Sequence, residues 1–531
     1  MISGINMPSM SDEREIIDGL LQDAENALSR GAFGKASSLY RGILGIEPNH
    51  ISALRQLAAM EVNQGDPAVA LEFFERARQL KTDDPDLCHG IATALRLMGR
   101  HSDSNMALIA TLRIDPNHGP ALYDQARRQQ QEGNHEAAGY TFLKLAKLGS
   151  GSYDIFFNCG VSMYRTHNLI AAERWFHAAA QVDTTAHRPF VNLGMIYRTW
   201  GYIPQAIACL EHAVTLAPES VDVHWNLAHA LLVSGELTRG FAEYEWRFKR
   251  EGQNKRQINL PRWTGESLNG KTILLTLEQG MGDAIQFVRF AEEVAARGGR
   301  VIVECHPGLE NLLATAPGVS ETVKVGADVL EADCYLSIMS LPHVLGTTWS
   351  NLPAKVPYLS VPSDTQVRDL RDRRLRVGMA WRGNAKHEND NWRSLELSAL
   401  KALREVDGVS FFGLQVGAGR TDCDKAPWKG SITDLAAGLK NFEDTAAVVS
   451  QMDLVITVDT AMAHLAGALG VSVWVLIPQG NDWRWLHGRS DSPWYPTLRL
   501  FRQARNRNWT PIISDMANDL HKLAAAHFLR K

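Results

Sequence analysis

From about Asp12 to Phe248 the chain repeats itself every ~34 residues, and a period of that length leaves few choices of fold. Each unit has room for two helices and a turn, and neither helix can bury its apolar face alone, so neighbouring units must stack. The clearest unit carries Phe190, Leu193, Gly194, Tyr197, Gly201, Ala206, Leu210, Ala213 and Pro218. Its alternation of small and large residues lets two antiparallel helices interlock, and Pro218 ends the second helix. One period earlier stand Phe156, Cys159, Gly160, Met163, Ala172, Phe176 and Ala179; one period later stand His224, Leu227, Ala228, Leu231, Gly235 and Tyr244. Upstream, Ala36, Tyr40 and Pro48 mark one unit and Gly65, Ala70, Phe74 and Ala77 the next, with Pro116 two periods after Pro48. The middle is weaker: Ser104 occupies a position that prefers a small apolar residue, and the unit around Gly133 lacks a closing proline. About seven units are expected.

This period is that of the tetratricopeptide repeat, which builds an α-solenoid whose groove holds extended peptides or partner helices. An array that only spaces or dimerises the protein has the same sequence. Asn192, Arg198 and Asn226 lie on first helices and are candidates to face the groove. At 531 residues the chain is too long for one core. A net charge of −4 argues against a general nucleic-acid binder. Six cysteines without paired CxxC spacing indicate neither a disulfide framework nor a zinc site. No secretory signal and no apolar run near the ~18 residues of a membrane span is visible, so a cytoplasmic location is expected.

The segment 249–268 is a basic connector bounded by Trp246 and Trp263. After it, 269–362 reads as a Rossmann-like α/β domain. TILLTL is a strand, EQGMGD a glycine turn, AIQFVRFAEEVAAR an amphipathic helix and RVIVEC a strand. Gly280 and Gly282 permit close backbone approach to a ligand, but the full GxGxxG fingerprint is missing, so no dinucleotide cofactor is expected. Asp283 has two readings: a carboxylate placed to take a proton, or a cap on the helix that follows. Gln286 and Arg289 lie one and two turns further and are candidates to orient substrate.

A second α/β domain spans 374–531. RVGMAW is its first strand, and the polar loop RGNAKHENDNWRS leaves that strand's carboxyl end, the usual ligand position. Arg382 and Lys386 there can offset a phosphate's charge, with Arg393 in support. VSFFGLQVG is a strand ending at Gln415. DLVITV is a buried strand ending at the helix-capping pair Asp459-Thr460; AMAHLAGALG is a helix stopped by Gly470, and VSVWVLI is the next strand. In this βαβ unit Thr460, Ala461 and Met462 offer free N–H groups to an anion, and His464 follows one turn on. Of Trp483 and Trp485, one is expected in the core and one over a ligand. Asp422-Cys423-Asp424 has DxD spacing, but Asp84-Pro85-Asp86 repeats it within the array, so the pattern carries no metal expectation.

VDTAMAHLAGALG, then DWRW at Asp482 to Trp485 and SPWYP at Ser492 to Pro496, resemble the C-terminal half of glycosyltransferases related to the lipopolysaccharide heptosyltransferases. More narrowly, they resemble the bacterial branch in which tetratricopeptide repeats precede the transferase, a layout that includes flagellin glycosyltransferases. The resemblance implies a metal-independent GT-B enzyme without cofactor. Asp283 stands at the catalytic base, and Gln415 near the nucleotide's base or ribose. In those enzymes the repeats capture flagellin, and the transferase adds a nonulosonic acid from a CMP-activated donor. The expectation is therefore a protein O-glycosyltransferase acting on Ser or Thr of a captured protein. EQGMGD departs from the heptosyltransferase loop, which puts heptose as donor in doubt. A transferase of lipopolysaccharide glycans and a non-catalytic scaffold with a degenerate transferase region remain open.

Overall fold

The computed structural model describes residues 10–149, 151–250, 258–327, 332–366, 369–385, 390–480, 482–504 and 507–530. Fourteen helices among them, from Met10–Ser29 to Leu237–Tyr244, form seven antiparallel pairs, a tetratricopeptide solenoid. Its chemistry recurs in register. A large residue, Tyr40, Phe74, Leu108, Phe142, Phe176, Leu210 and Tyr244, is buried once per repeat. The small positions Ala58, Ala92, Ala126, Gly160, Gly194 and Ala228 recur with the same spacing. A Cβ on Gly160 would lie 2.7 Å from the Phe176 ring, and one on Gly194 would lie 2.6 Å from Leu210. The turn between paired helices needs a left-handed residue, supplied by Gly31, Gly65, Gly99, Gly133, Gly201 and Gly235 and, in the fifth repeat, by His167 at φ 62°. Ser104 is tolerated because its hydroxyl donates to the Ala92 carbonyl at 2.7 Å.

The chain divides into two compact units, Met1–Pro189 and Phe190–Lys531. In the first, side chains of successive first helices bond to each other: His118 to Asp86 (3.0 Å), His89 to Asp124 (3.1 Å) and Arg127 to Asn158 (3.1 Å).

The second unit holds two parallel sheets. β1 (Thr272–Thr276), β2 (Arg300–Cys305), β3 (Val319–Lys324) and β4 (Cys334–Ser337) lie in the order β3-β2-β1-β4. β5 (Leu375–Ala380), β6 (Val409–Gly413), β7 (Ile432–Asp434), β8 (Leu454–Val458), β9 (Val473–Ile477) and β10 (Leu498–Arg502) lie in the order β10-β9-β8-β5-β6-β7. The central strands are short apolar runs buried along nearly their whole length, as parallel strands covered on both faces must be. Strand order reverses between β1 and β4 and between β5 and β8, the topological switch points at whose carboxyl ends α/β proteins bind ligands. The helix expected after EQGMGD is broken into Met281–Phe287, a 3-10 turn Val288–Phe290 and Ala291–Ala295. Residues Ala284 to Ala291 are all buried, so it is a core helix and not an amphipathic one.

The last two helix pairs belong with the sheets, so the compact boundary falls well before Phe248. Ile203, Ala228, Leu232, Phe241 and Tyr244 share one apolar core with β1, Trp483 and Trp494. The turn glycines of these repeats sit against the α/β region. A Cβ on Gly201 would clash with the His487 ring, and the Gly235 carbonyl accepts from the Trp349 indole at 2.8 Å.

Candidate functional site

The EQGMGD turn leaves the carboxyl end of β1 and is held by the end of the repeat array. Arg247 is fully buried and donates a two-pronged pair to Glu278 at 2.9 and 2.8 Å, while also bonding Glu245 and Ser340 at 2.7 Å each. Gln279 donates to the Tyr244 hydroxyl at 2.6 Å. Tyr244 is the large residue of the seventh repeat, so a core position of the solenoid here serves the loop. Asp283 takes the capping role its sequence allowed and an ion pair besides. Its Oδ2 accepts from the Gly280 N–H at 2.9 Å, which caps the helix Met281–Phe287, and its Oδ1 pairs with Arg484. A Cβ on Gly282 would lie 3.0 Å from His464 and 3.5 Å from the Ala461 backbone. The close approach this glycine permits is thus to the helix Ala461–Ala468, and the two turns singled out in the sequence meet face to face.

That helix follows β8 directly. Thr460 is its N-cap residue in extended geometry, yet its side chain makes no cap bond; its hydroxyl lies 3.3 Å from that of Thr457. Thr460, Ala461 and Met462 are half-buried. The Asp459 carbonyl accepts from Arg393 at 3.0 Å. The loop after β9 brings in Asp482, which bonds Arg484 at 2.9 Å, and Trp485, which stacks on His464 with ring centres 5.2 Å apart. Tyr495 completes the wall with a hydroxyl 3.0 Å from His464 Nδ1.

Three carboxylates and two guanidinium groups therefore share a poorly solvated space. Burial raises Asp459 to about 6, the Asp482 charge adds to this, and Arg393 and Arg484 oppose it. The Trp485 indole N–H, directed to Asp459, also opposes the rise. Burial also raises Asp283, against the pull of Arg484. Burial works to raise Asp482 as well, but there Arg484 prevails and the group is held low. His464 is pushed down to about 3 and His229 to about 4, in both cases first by burial and then by a nearby arginine, Arg484 or Arg198. His464 is thus neutral and a hydrogen-bonding group, not a cation for a phosphate.

These shifts fix a pH dependence. The two histidines bind protons more readily unfolded than folded, so they remove stability as pH falls from about 6.5 toward their folded values. Asp459 has the opposite sign: its raised folded value adds stability as pH falls from about 6 toward 4. The histidine windows are wider, so stability is expected to fall by roughly 2–4 kcal/mol between pH 6.5 and 4.5. Denaturant unfolding at the two pH values checks this, and His464→Phe should flatten the slope.

Several expected site residues are otherwise engaged. Arg382 is ion-paired with Glu396 and lies 3.3 Å from Asp422, so its charge is already neutralised. Gln415 is buried, and its Oε1 accepts from the Trp381 and Arg382 N–H groups at 2.9 and 2.8 Å, which makes it a staple at the end of β5. Arg289 is buried with its guanidinium bonded to Gln286 O (2.8 Å), Trp494 O (2.6 Å) and the Tyr358 hydroxyl (2.8 Å), a structural strut and not a free substrate group. Gln286 is fully buried, with neither side-chain polar atom hydrogen-bonded within the chain. Both Trp483 and Trp485 are core residues, 2% and 1% exposed, because Phe241, Tyr244, Phe287 and His464 surround them. Lys386 lies outside the described residues. Asn226 bonds its own helix at Asp222 O (2.8 Å), while the Arg198 charge is felt at His229. Among the described residues no group of three or more His, Cys, Asp or Glu is arranged to hold a metal ion, and no helix is long and apolar enough to cross a membrane. Sequence reasoning overlooked Arg484, Asp482, Tyr244 and Arg247. The signal for the loop pair was present in DWRW, read there only for its aromatic residues.

Fold and site together define a tetratricopeptide-repeat protein carrying a two-sheet α/β region with a charged cluster at the strands' carboxyl ends. The tetratricopeptide repeat family model matches residues 187–220, the repeat with the clearest sequence pattern. Protein FlbA of Caulobacter vibrioides is 25% identical over 541 residues, covering 93% of this chain and 83% of FlbA. Among solved structures, pilF of Pseudomonas aeruginosa is 17% identical and covers 40% of this chain and 96% of its own, with a TM-score of 0.36. The C-terminal part of a TPR repeat-containing protein from Cytophaga hutchinsonii is 11% identical and covers 44% and 96%, with a TM-score of 0.37.

Proposed function

We propose that this chain is a cytoplasmic protein O-glycosyltransferase of the metal-independent GT-B type. The observation that carries the reading is the meeting of two turns at the carboxyl ends of two parallel sheets: Asp283 on one, the open first turn of Ala461–Ala468 on the other. The donor is a nucleotide-activated sugar, a nonulosonic acid by resemblance. The acceptor is a Ser or Thr hydroxyl of a protein held by the repeats, flagellin by the same resemblance. The acceptor oxygen forms a bond to the anomeric carbon as the bond from that carbon to the nucleotide's phosphate oxygen breaks. The electron pair leaves with the phosphate, whose charge the helix terminus and Arg393 stabilise, and the hydroxyl proton passes to Asp283. A carboxylate base of this kind suits inversion at the anomeric carbon.

Calorimetry with CMP, UDP, GDP and ADP tests the donor site. One nucleotide is expected to bind the wild type, and Thr460→Trp is expected to abolish binding by filling the helix terminus. CMP would name a nonulosonic-acid donor, and ADP would favour a heptosyl donor instead.

A second reading has its own support. Arg382 and Gln415 are occupied by protein partners and Asp283 is closed by Arg484, as in a non-catalytic scaffold whose repeats bind protein. If none of the four nucleotides binds at millimolar concentration, this reading takes precedence.

A further inference from the structure

The transferase reading leaves Arg484 unexplained, although this residue pairs with two of the cluster's three carboxylates. It comes from the loop after β9, reaches across to Asp283 on the turn after β1, and bonds Asp482 on its own loop. It packs over the Trp483 ring at 4.4 Å and is 7% exposed. Its Nε is buried with no hydrogen-bond partner. The Trp485 indole N–H, buried beside Asp459, lowers that carboxyl. A buried guanidinium left with an orphaned N–H is incompletely satisfied, and leaving such a donor unmade is costly. An orphaned donor therefore stands near the helix terminus, in a cluster whose carboxylates outnumber its guanidinium groups.

We infer that Arg484 is the residue that receives the nucleotide's phosphate, and that in the empty protein it is stored on Asp283. This rests on the transferase reading and adds an order to it. A phosphate arriving at Thr460–Met462 offers the guanidinium more acceptor oxygens than one carboxylate oxygen does. Arg484 turns to the phosphate, and Asp283, relieved of its cation in a buried setting, becomes a stronger base. The base is thereby armed only once donor is bound. The other charged or titratable groups facing this exchange are Asp459, Asp482, His464, His229, Tyr244, Arg289 and Arg393.

The test is calorimetry of the full chain with CMP, UDP, GDP and ADP, in two buffers of different ionisation enthalpy. Asp283→Asn is expected to bind the nucleotide at least as tightly as wild type, because it no longer competes for Arg484. Arg484→Gln is expected to weaken binding about tenfold or more, and Arg484→Lys to recover part of the loss. Wild type should take up protons on binding in mildly acidic buffer, and Asp283→Asn should take up fewer. Opposite signs for Asp283→Asn and Arg484→Gln are the signature, because a merely structural ion pair would weaken binding in both or in neither. A thermal melt of each variant confirms that it is folded. If nucleotide binds wild type and the two variants shift affinity alike, the storage of Arg484 on Asp283 is wrong while the donor site stands. If no nucleotide binds wild type, both readings fall.

Discussion

Asp283→Asn is expected to lower sugar transfer by about 10²–10⁴-fold while nucleotide binding is retained. The substitution keeps the shape of the side chain and removes its capacity to take a proton. The amide oxygen can still accept from Gly280, so the helix Met281–Phe287 remains capped. A loss confined to turnover therefore reports proton transfer and not collapse of the turn. The rate of nucleotide release with acceptor present measures it. In the wild type the acidic limb of the pH profile should lie above the ordinary aspartate range, because burial raises Asp283.

The second large effect concerns stability. Arg247→Ala is expected to destabilise the α/β unit by about 3–5 kcal/mol, since it removes a fully buried guanidinium and leaves the half-buried Glu278 and Glu245 without their cation. Arg247→Lys should recover only part of this, because an ammonium cannot reproduce the two-pronged bond to Glu278. Tryptophan fluorescence follows the right unit: every tryptophan but Trp175 lies beyond Pro189. A melting temperature within a degree of wild type would contradict the role given to this residue. The same variant should loosen the EQGMGD turn, which Arg247 and Tyr244 tie to the last repeat through the bonds described above.

What was legible in the sequence followed from local pattern. Gly160 and Gly194 could be placed opposite Phe176 and Leu210 because a period repeats the same contact along the chain. The strands of both sheets were legible as short apolar runs, and Asp283 and Asp459 as residues that follow such runs. Partnership was not legible. Arg382 and Gln415 have the chemistry of a phosphate and nucleotide site, but Glu396, Asp422 and the Trp381 N–H reach them only in the folded chain. Arg484 was hidden for the converse reason: between two tryptophans it reads as part of a hydrophobic anchor, and its partner Asp283 is some 200 residues away. Tyr244 obeys the repeat pattern perfectly, so nothing in the period reveals that it also bonds Gln279. That the last repeats pack with the sheets was hidden for a related cause. The seventh repeat keeps its pattern while its partners are Trp483 and the core of β1.

The most direct measurement is the intact mass of flagellin after incubation with the full chain and the nucleotide sugar identified by calorimetry. The account predicts an added mass of one sugar residue with wild type and none with Asp283→Asn over the same time. An unchanged mass with wild type under donor saturation, or equal addition by both proteins, would contradict it.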